Sequence, residues 1–206
     1  MNKNIKFVLP ILIAFLISLM FTQCKQGEYD KEIATFRLEQ DEFFFDPEKS
    51  PLTAEGLADF NGLEYFPADK KYKIEAEFIL TPDAASFMMS TTTDRIVDYR
   101  KYGKAVFNLS GEKHELSIYR NQQIKDKEEY KDHLFLPYKD LTNGNLSYGG
   151  GRYIDLKIPE SNTITIDFNK SYNPYCAYNH RYSCPIPPDE NHLNIEIRAG
   201  VKKYDH

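Results

Sequence analysis

Residues 72–81 read Tyr72-Lys73-Ile74-Glu75-Ala76-Glu77-Phe78-Ile79-Leu80-Thr81, and this stretch decides the fold class. Tyr72, Ile74, Ala76, Phe78 and Leu80 alternate with Lys73, Glu75, Glu77, Ile79 and Thr81. A period of two places the first set on one face of a β-strand and the second on the other. Outward from it, short strand-like segments recur at 86–91, 105–109, 115–120, 134–137, 152–158, 163–167 and 193–198. Ser110-Gly111, Asn143-Gly144, Gly149-Gly150-Gly151 and Glu160-Ser161-Asn162 separate them as turn formers. About eight strands with no helices between them predict a mostly β fold, an antiparallel sandwich or a partly closed barrel.

Upstream of the strands the period changes. Tyr29, Ile33, Phe36, Phe43 and Phe44 fall near one stripe of a helix over 28–45, with Lys31, Glu32, Glu39 and Asp41 elsewhere. Asp46-Pro47 ends that helix, because the residue before proline is pushed out of the α region. The run from Ser50 to Thr53 caps a brief helical turn that Asn61-Gly62 terminates.

The chain has 206 residues, 41% hydrophobic and 28% charged, which excludes a disordered chain and a multi-span membrane protein. Fifteen Tyr and 14 Phe against no Trp lean the composition towards β structure. A net charge of −5 gives no electrostatic footprint for nucleic acid, so nucleic acid is not an expected partner.

The first residues are an address rather than a fold element. Lys3 and Lys6 precede an apolar run over 7–21, broken only by Pro10 and Ser18. That run is shorter than the ~20 residues of a comfortable span, and its order is that of a secretory signal. It ends in Met20-Phe21-Thr22-Gln23-Cys24, which resembles a bacterial lipoprotein signal in which Cys24 becomes the lipidated N-terminus. Gln23 and Phe21 depart from the usual small residue and Leu of such signals. Two or more acyl chains, such as palmitate, grip a bilayer firmly where one does not. The expected organisation is therefore a signal peptide over 1–23, a tether over 24–30 and one domain over 31–206. The expected place is the cell envelope, facing the periplasm or the outer surface.

Residues 167–191 are the densest in functional side chains. Asn173-Pro174 reads as a helix start, and Tyr172, Tyr175, Tyr178 and Tyr182 lie three to four apart, as one aromatic side of a short turn. Cys184-Pro185-Ile186-Pro187-Pro188 then runs extended. A loop rich in Tyr, Asn and Pro serves either as a binding surface or as a lid over one end of a barrel.

Cys176 and Cys184 are the two thiols left once Cys24 is assigned to lipid, and a disulfide between them is the default in an oxidising compartment. A reactive thiol at Cys176 is the second reading. A zinc set of Cys176, His180, Cys184 and His192 is the third, and it lacks the close Cys-x2-Cys pair of most structural sites. No metal or other cofactor is expected.

The glycines 149–151 lead into a strand rather than a helix, which favours a turn over a phosphate cradle. Asp140, Asp155, Asp167, Asp189 and Glu190 lie in or beside turns with Arg152 and Thr142, where turn bonding is the simpler reading. His114, His133, His180, His192 and His206 form no nucleophile–base signature, and no G-x-S-x-G is present.

An ordered series of motifs runs from Leu134-Phe135-Leu136-Pro137-Tyr138-Lys139-Asp140-Leu141-Thr142 through Tyr148-Gly149-Gly150-Gly151-Arg152-Tyr153 to Asp167-Phe168-Asn169. It continues with Tyr172-Asn173-Pro174-Tyr175-Cys176-Ala177-Tyr178, Cys184-Pro185-Ile186-Pro187-Pro188, Glu190-Asn191 and Ala199-Gly200. This series resembles the DUF1684 family of uncharacterised bacterial and archaeal proteins. Val201 departs from the Glu expected after Ala-Gly. The resemblance implies a single domain and supplies no activity.

The expected function is that of a binding module for a small molecule or a protein partner, anchored by lipid. Its surface is expected to combine Tyr148, Arg152, Asp167, Asn169, Asn173, Tyr175, Tyr178 and Asn191. The alternative is an enzyme built on the 167–191 segment, a hydrolase with Asp140 or Asp167 as base or a thiol enzyme centred on Cys176.

Overall fold

The computed structural model describes residues 27–204. The export signal, Cys24 and the first part of the tether lie outside the described residues.

Helix α1 occupies residues 27–45 and stops before Asp46-Pro47, where proline cannot continue it. Tyr29, Ile33 and Phe44 of its apolar stripe are buried, while Phe36 and Phe43 are half-buried. A one-turn helix α2 (Ala54–Ala58) starts where Thr53 caps it, its Oγ1 accepting the Gly56 N–H at 3.0 Å. No helix among the described residues is long and apolar enough to cross a membrane.

The strands are β1 (Lys73–Leu80), β2 (Ser86–Ser90), β3 (Ile96–Leu109), β4 (Glu112–Asn121), β5 (His133–Tyr138), β6 (Arg152–Lys157) and β7 (Thr163–Asp167). They form one antiparallel sheet in the order β6-β5-β4-β3-β1-β7, with β2 paired to β3 off that path. The sheet curls into a half-barrel, so the expected mostly β, partly closed architecture is the one found.

The concave side holds the main core. Tyr72, just before β1, and Ile74, Ala76 and Phe78 of β1 meet Leu116 and Ile118 of β4, Leu134 and Leu136 of β5, and Ile164 and Ile166 of β7. The alternation read over 72–81 holds as far as Phe78; Leu80, at the strand's end, is exposed. On the convex side Met89, Val97, Tyr99, Tyr119, Phe135 and Tyr153 pack beneath Cys176 and Cys184.

Strand β3 is much longer than the 105–109 segment that the sequence suggests. Its pairing with β4 shifts register between Lys101 and Gly103. One extra residue there flips every later side chain to the other face. Val97 and Tyr99 therefore join the convex cluster, whereas Ala105, Phe107 and Leu109 join the concave one. Buried residues keep odd numbers on both sides of the irregularity, Val97 and Tyr99 before it and Gly103 to Leu109 after it, so the alternation gives no sign of the change of face. Tyr102 has no register partner in β4, and Gly103 follows it because a Cβ there would stand 2.6 Å from the Phe78 ring.

The segment at 193–198 is not a strand. Leu193, Ile197 and Ala199 fill the concave core as an extended plug. Part of the plug's backbone is satisfied by side chains instead of a ladder: Asp140 accepts the Ile197 N–H, and Arg152 donates to the Ile197 and Ala199 carbonyls. Seven strands result among the described residues rather than eight.

Candidate functional site

Of the residues expected to form one surface, Arg152 is fully buried, as are Asn169 and Asn191. Its position in β6 aims it into the concave side with Ile154 and Leu156. Nη2 donates to Asp140 Oδ2 at 2.7 Å and to the Ile197 carbonyl at 2.8 Å, and Nη1 donates to the Ala199 carbonyl. The Tyr138 ring lies 5.3 Å below the guanidinium. Arg152 is thus a structural clamp on the C-terminal plug and not a ligand-reading cation. Asp140 is spent in the same clamp, also accepting the Thr142 N–H at 2.9 Å.

Asn191 is likewise consumed inside. Its Oδ1 accepts the Ser117 N–H at 2.8 Å, and its Nδ2 donates to the Ser117 and Pro137 carbonyls at 2.8 and 2.6 Å. Asn169 joins the strand end to the helix, donating to Tyr29 Oη at 2.8 Å and to the Asp69 carbonyl at 2.9 Å. Tyr29 in turn donates to Asp167 Oδ1 at 3.0 Å. Burial, then the charge of Asp167, pushes the Tyr29 phenol far above its ordinary range.

The remaining expected residues divide between two places. Asp167, Asn173, Tyr175 and Tyr178 border a groove of about 1070 Å³ between α1 and the convex face of the sheet. Tyr148 sits instead at the cysteines, its hydroxyl 3.7 Å from Cys176 Sγ. The aromatic row expected over 172–182 is also split. Tyr172 meets Tyr153 edge-on, Tyr175 stacks on Phe43 of α1 at 6.2 Å and keeps Tyr182 at 5.3 Å, and Tyr178 packs against Phe44 and Tyr204. The helix expected after Asn173 is a single 3-10 turn, Tyr175–Ala177. The Asn173 side chain ties the strands' far end instead, donating to the Lys202 carbonyl at 2.9 Å rather than capping.

Cys176 and Cys184 are buried free thiols, with the Cys176 N–H 3.2 Å from Cys184 Sγ. A hydrogen bond from the Cys184 thiol is the main cause that pulls the Cys176 thiol down to about 6. The same contact pushes Cys184 strongly upward. Among the described residues, no group of three His, Cys, Asp or Glu side chains converges in a way that holds a metal ion.

The groove's centre is a set of residues the sequence left in the background. Asp155 lies on the convex face of β6, its side chain 52% exposed, with His133 Nε2 at 2.9 Å from Oδ1. Tyr172 donates to its other oxygen at 2.9 Å. Burial and then Asp155 push the Tyr172 phenol well above its ordinary range, and burial lifts Tyr99 to about 12. Towards the start of α1, Glu32 accepts Lys170 at 2.6 Å and Lys73 at 3.0 Å, and these lysines hold its carboxyl below the usual range. Two wall atoms, Asn173 Oδ1 and Tyr65 Oη, are buried without a hydrogen-bond partner. The signal for Asp155 was available: in Arg152–Lys157 the apolar residues Ile154 and Leu156 bracket it, so it faces the opposite side.

Fold and site together define a helix-backed β half-barrel with an aromatic groove on its convex face. Residues 58–202 match the family described as "Protein of unknown function (DUF1684)", and the chain belongs to that family. The solution NMR structure of the uncharacterized protein from gene locus rrnAC0354 of Haloarcula marismortui is similar at 35% identity. That similarity covers 86% of this chain and 96% of the other, with a TM-score of 0.67. No curated protein matches.

Proposed function

We propose that this chain is a binding module, held at a membrane surface through lipidated Cys24, whose groove takes a small organic ligand. The observation that carries the reading is the groove itself: about 1070 Å³, walled by aromatic rings from helix, sheet and loop around the half-exposed carboxylate of Asp155. Such a mixture of apolar area and a few fixed polar groups is what small-molecule sites present. Rings also fill the site at little entropic cost, because each has only two rotatable side-chain bonds.

In the envelope compartment this reading places a disulfide between Cys176 and Cys184. Joining the two sulfurs releases two protons and passes two electrons to a thiol oxidant of that compartment. The bond closes the loop that carries Tyr175, joining its 3-10 turn to the extended segment that begins at Cys184.

The thiol-enzyme alternative keeps one supporting observation, the lowered Cys176 thiol. The hydrolase alternative through Asp140 or Asp167 has none, since both carboxylates accept hydrogen bonds within the fold.

A thermal-shift screen of sugars, nucleotides and organic ions tests the binding reading. A ligand at ~100 times its dissociation constant adds about 2.7 kcal/mol, a shift that is easily measured. The Gln40→Trp variant, which narrows the groove from α1 and adds the chain's only indole, is expected to abolish the shift. A ligand that shifts this variant as much as the parent protein places the site elsewhere.

A further inference from the structure

We infer that the groove selects an organic monocation, an amine or quaternary ammonium, with Asp155 as its counter-charge and tyrosine rings as its walls. This rests on the groove being the ligand site and goes on to the chemistry of the ligand.

The hydrogen-bond accounting of the groove turns on Asp155. Several donors beside it are engaged within the fold. Tyr172 gives its hydrogen to Asp155, and Tyr153 gives its hydrogen to the Pro185 carbonyl. Lys73 and Lys170 both serve Glu32. Arg152, three residues before Asp155, is sealed on the opposite side of the sheet. The polar groups of the strand wall nearest Asp155 keep acceptor capacity. A carboxylate has about four acceptor positions, and Asp155 fills two of them with His133 and Tyr172. Asn173 Oδ1 is buried with no donor at all. The Tyr65 hydroxyl can act in either sense and favours neither sign.

Rings surround that acceptor. The charge of Asp155 is felt by the phenols of Tyr99, Tyr172 and Tyr175, which belong to strand and loop walls of the groove. A ring face attracts a cation and repels an anion through its quadrupole. An anionic ligand would meet both the ring faces and Asp155. A neutral apolar ligand would strip water from the carboxylate and return nothing. A cation satisfies both. Lys157, exposed two residues along the same face of β6, makes no ion pair among the described residues and opposes a cation, whereas Lys73 and Lys170 are paired with Glu32.

The test is calorimetric titration of the full-length protein in detergent with choline and with its uncharged tert-butyl analogue. Choline is expected to bind about tenfold more tightly than the analogue, the worth of one partly screened charge contact. Asp155→Asn is expected to weaken choline by about the same factor and to leave the analogue unchanged. Lys157→Gln is expected to tighten choline by about twofold to threefold, because it removes a repelling neighbour. Equal affinities for the two probes, no binding of choline, or an Asp155→Asn variant that binds choline as the parent does overturns the inference. A neutral ligand found in the screen and lost in Gln40→Trp would overturn the cation preference alone and leave the binding module standing. A groove that takes no ligand of any charge overturns both.

Discussion

Asp140 and Asp155 lie on opposite sides of the same sheet, and they have opposite fates. Asp140 is sealed from solvent and accepts from Arg152, the Thr142 N–H and the Ile197 N–H. Asp155 is half exposed and accepts from one imidazole and one phenol, with lone pairs to spare. The difference comes from what each side of the sheet must satisfy. The concave side admits a C-terminal plug whose backbone lacks a full ladder, so buried polar side chains must supply its hydrogen bonds. The convex side at β6 is left uncovered by that plug, and its polar groups keep capacity for something else.

Breaking the concave side should therefore have the largest effect on stability. Arg152→Met leaves Asp140 buried without its cation and strands the Ile197 and Ala199 carbonyls. Removing one partner of a buried pair costs about 3–5 kcal/mol, a large part of a domain's total stability. A urea midpoint lowered to match is expected, with partial recovery in Asp140→Asn/Arg152→Met. An unchanged midpoint in the single variant would mean that the plug is held by apolar packing alone.

Alkali tests the same side more gently. Burial raises the Tyr138 phenol to about 12, because no water reaches the ionised form. Above about pH 10 the unfolded chain loses this proton while the folded one keeps it, so the unfolded state binds fewer protons. Its contribution is thus complete below about pH 10 and falls as pH rises towards 12, by about 2–3 kcal/mol. Denaturant titrations between pH 9 and 12 are expected to show a shallower decline in Tyr138→Phe than in the parent protein. Parallel declines would mean that other buried tyrosines, such as Tyr178, carry the alkaline limit.

Much of this architecture is legible in the sequence, for reasons that differ along the chain. Strand β1 reads cleanly because one face is buried and the other solvated, and α1 reads from its apolar stripe and the proline after it. The bulge at Tyr102 changes the face inside β3 while the buried residues stay odd-numbered, so no local pattern reveals where the flip falls. The site reads worse. Arg152, Asn169 and Asn191 stand out as polar residues amid apolar ones, but burial turns that contrast into internal bonding. Asp155 and His133 look like ordinary strand polars, and only the pairing of β5 with β6 brings them to 2.9 Å. Proximity across strands depends on register, which a single sequence does not display.

The smallest expected effect on stability is also the sharpest for the comparison. Asp155→Asn removes a half-exposed charge that takes one imidazole and one phenol hydrogen bond. Exposed pairs contribute about 0–1 kcal/mol, since water competes for both partners. The amide oxygen of Asn still accepts from Tyr172 or His133. A urea midpoint within about 1 kcal/mol of the parent is therefore expected from a residue that makes two side-chain contacts, as against the loss at Arg152. If Asp155→Asn instead costs as much as Arg152→Met, the convex carboxylate is a structural clamp like Asp140, and the groove has lost its claim to spare capacity. If the stability holds, Asp155 keeps two bonded partners that the fold does not need, which is the position expected of a residue retained for what enters from outside.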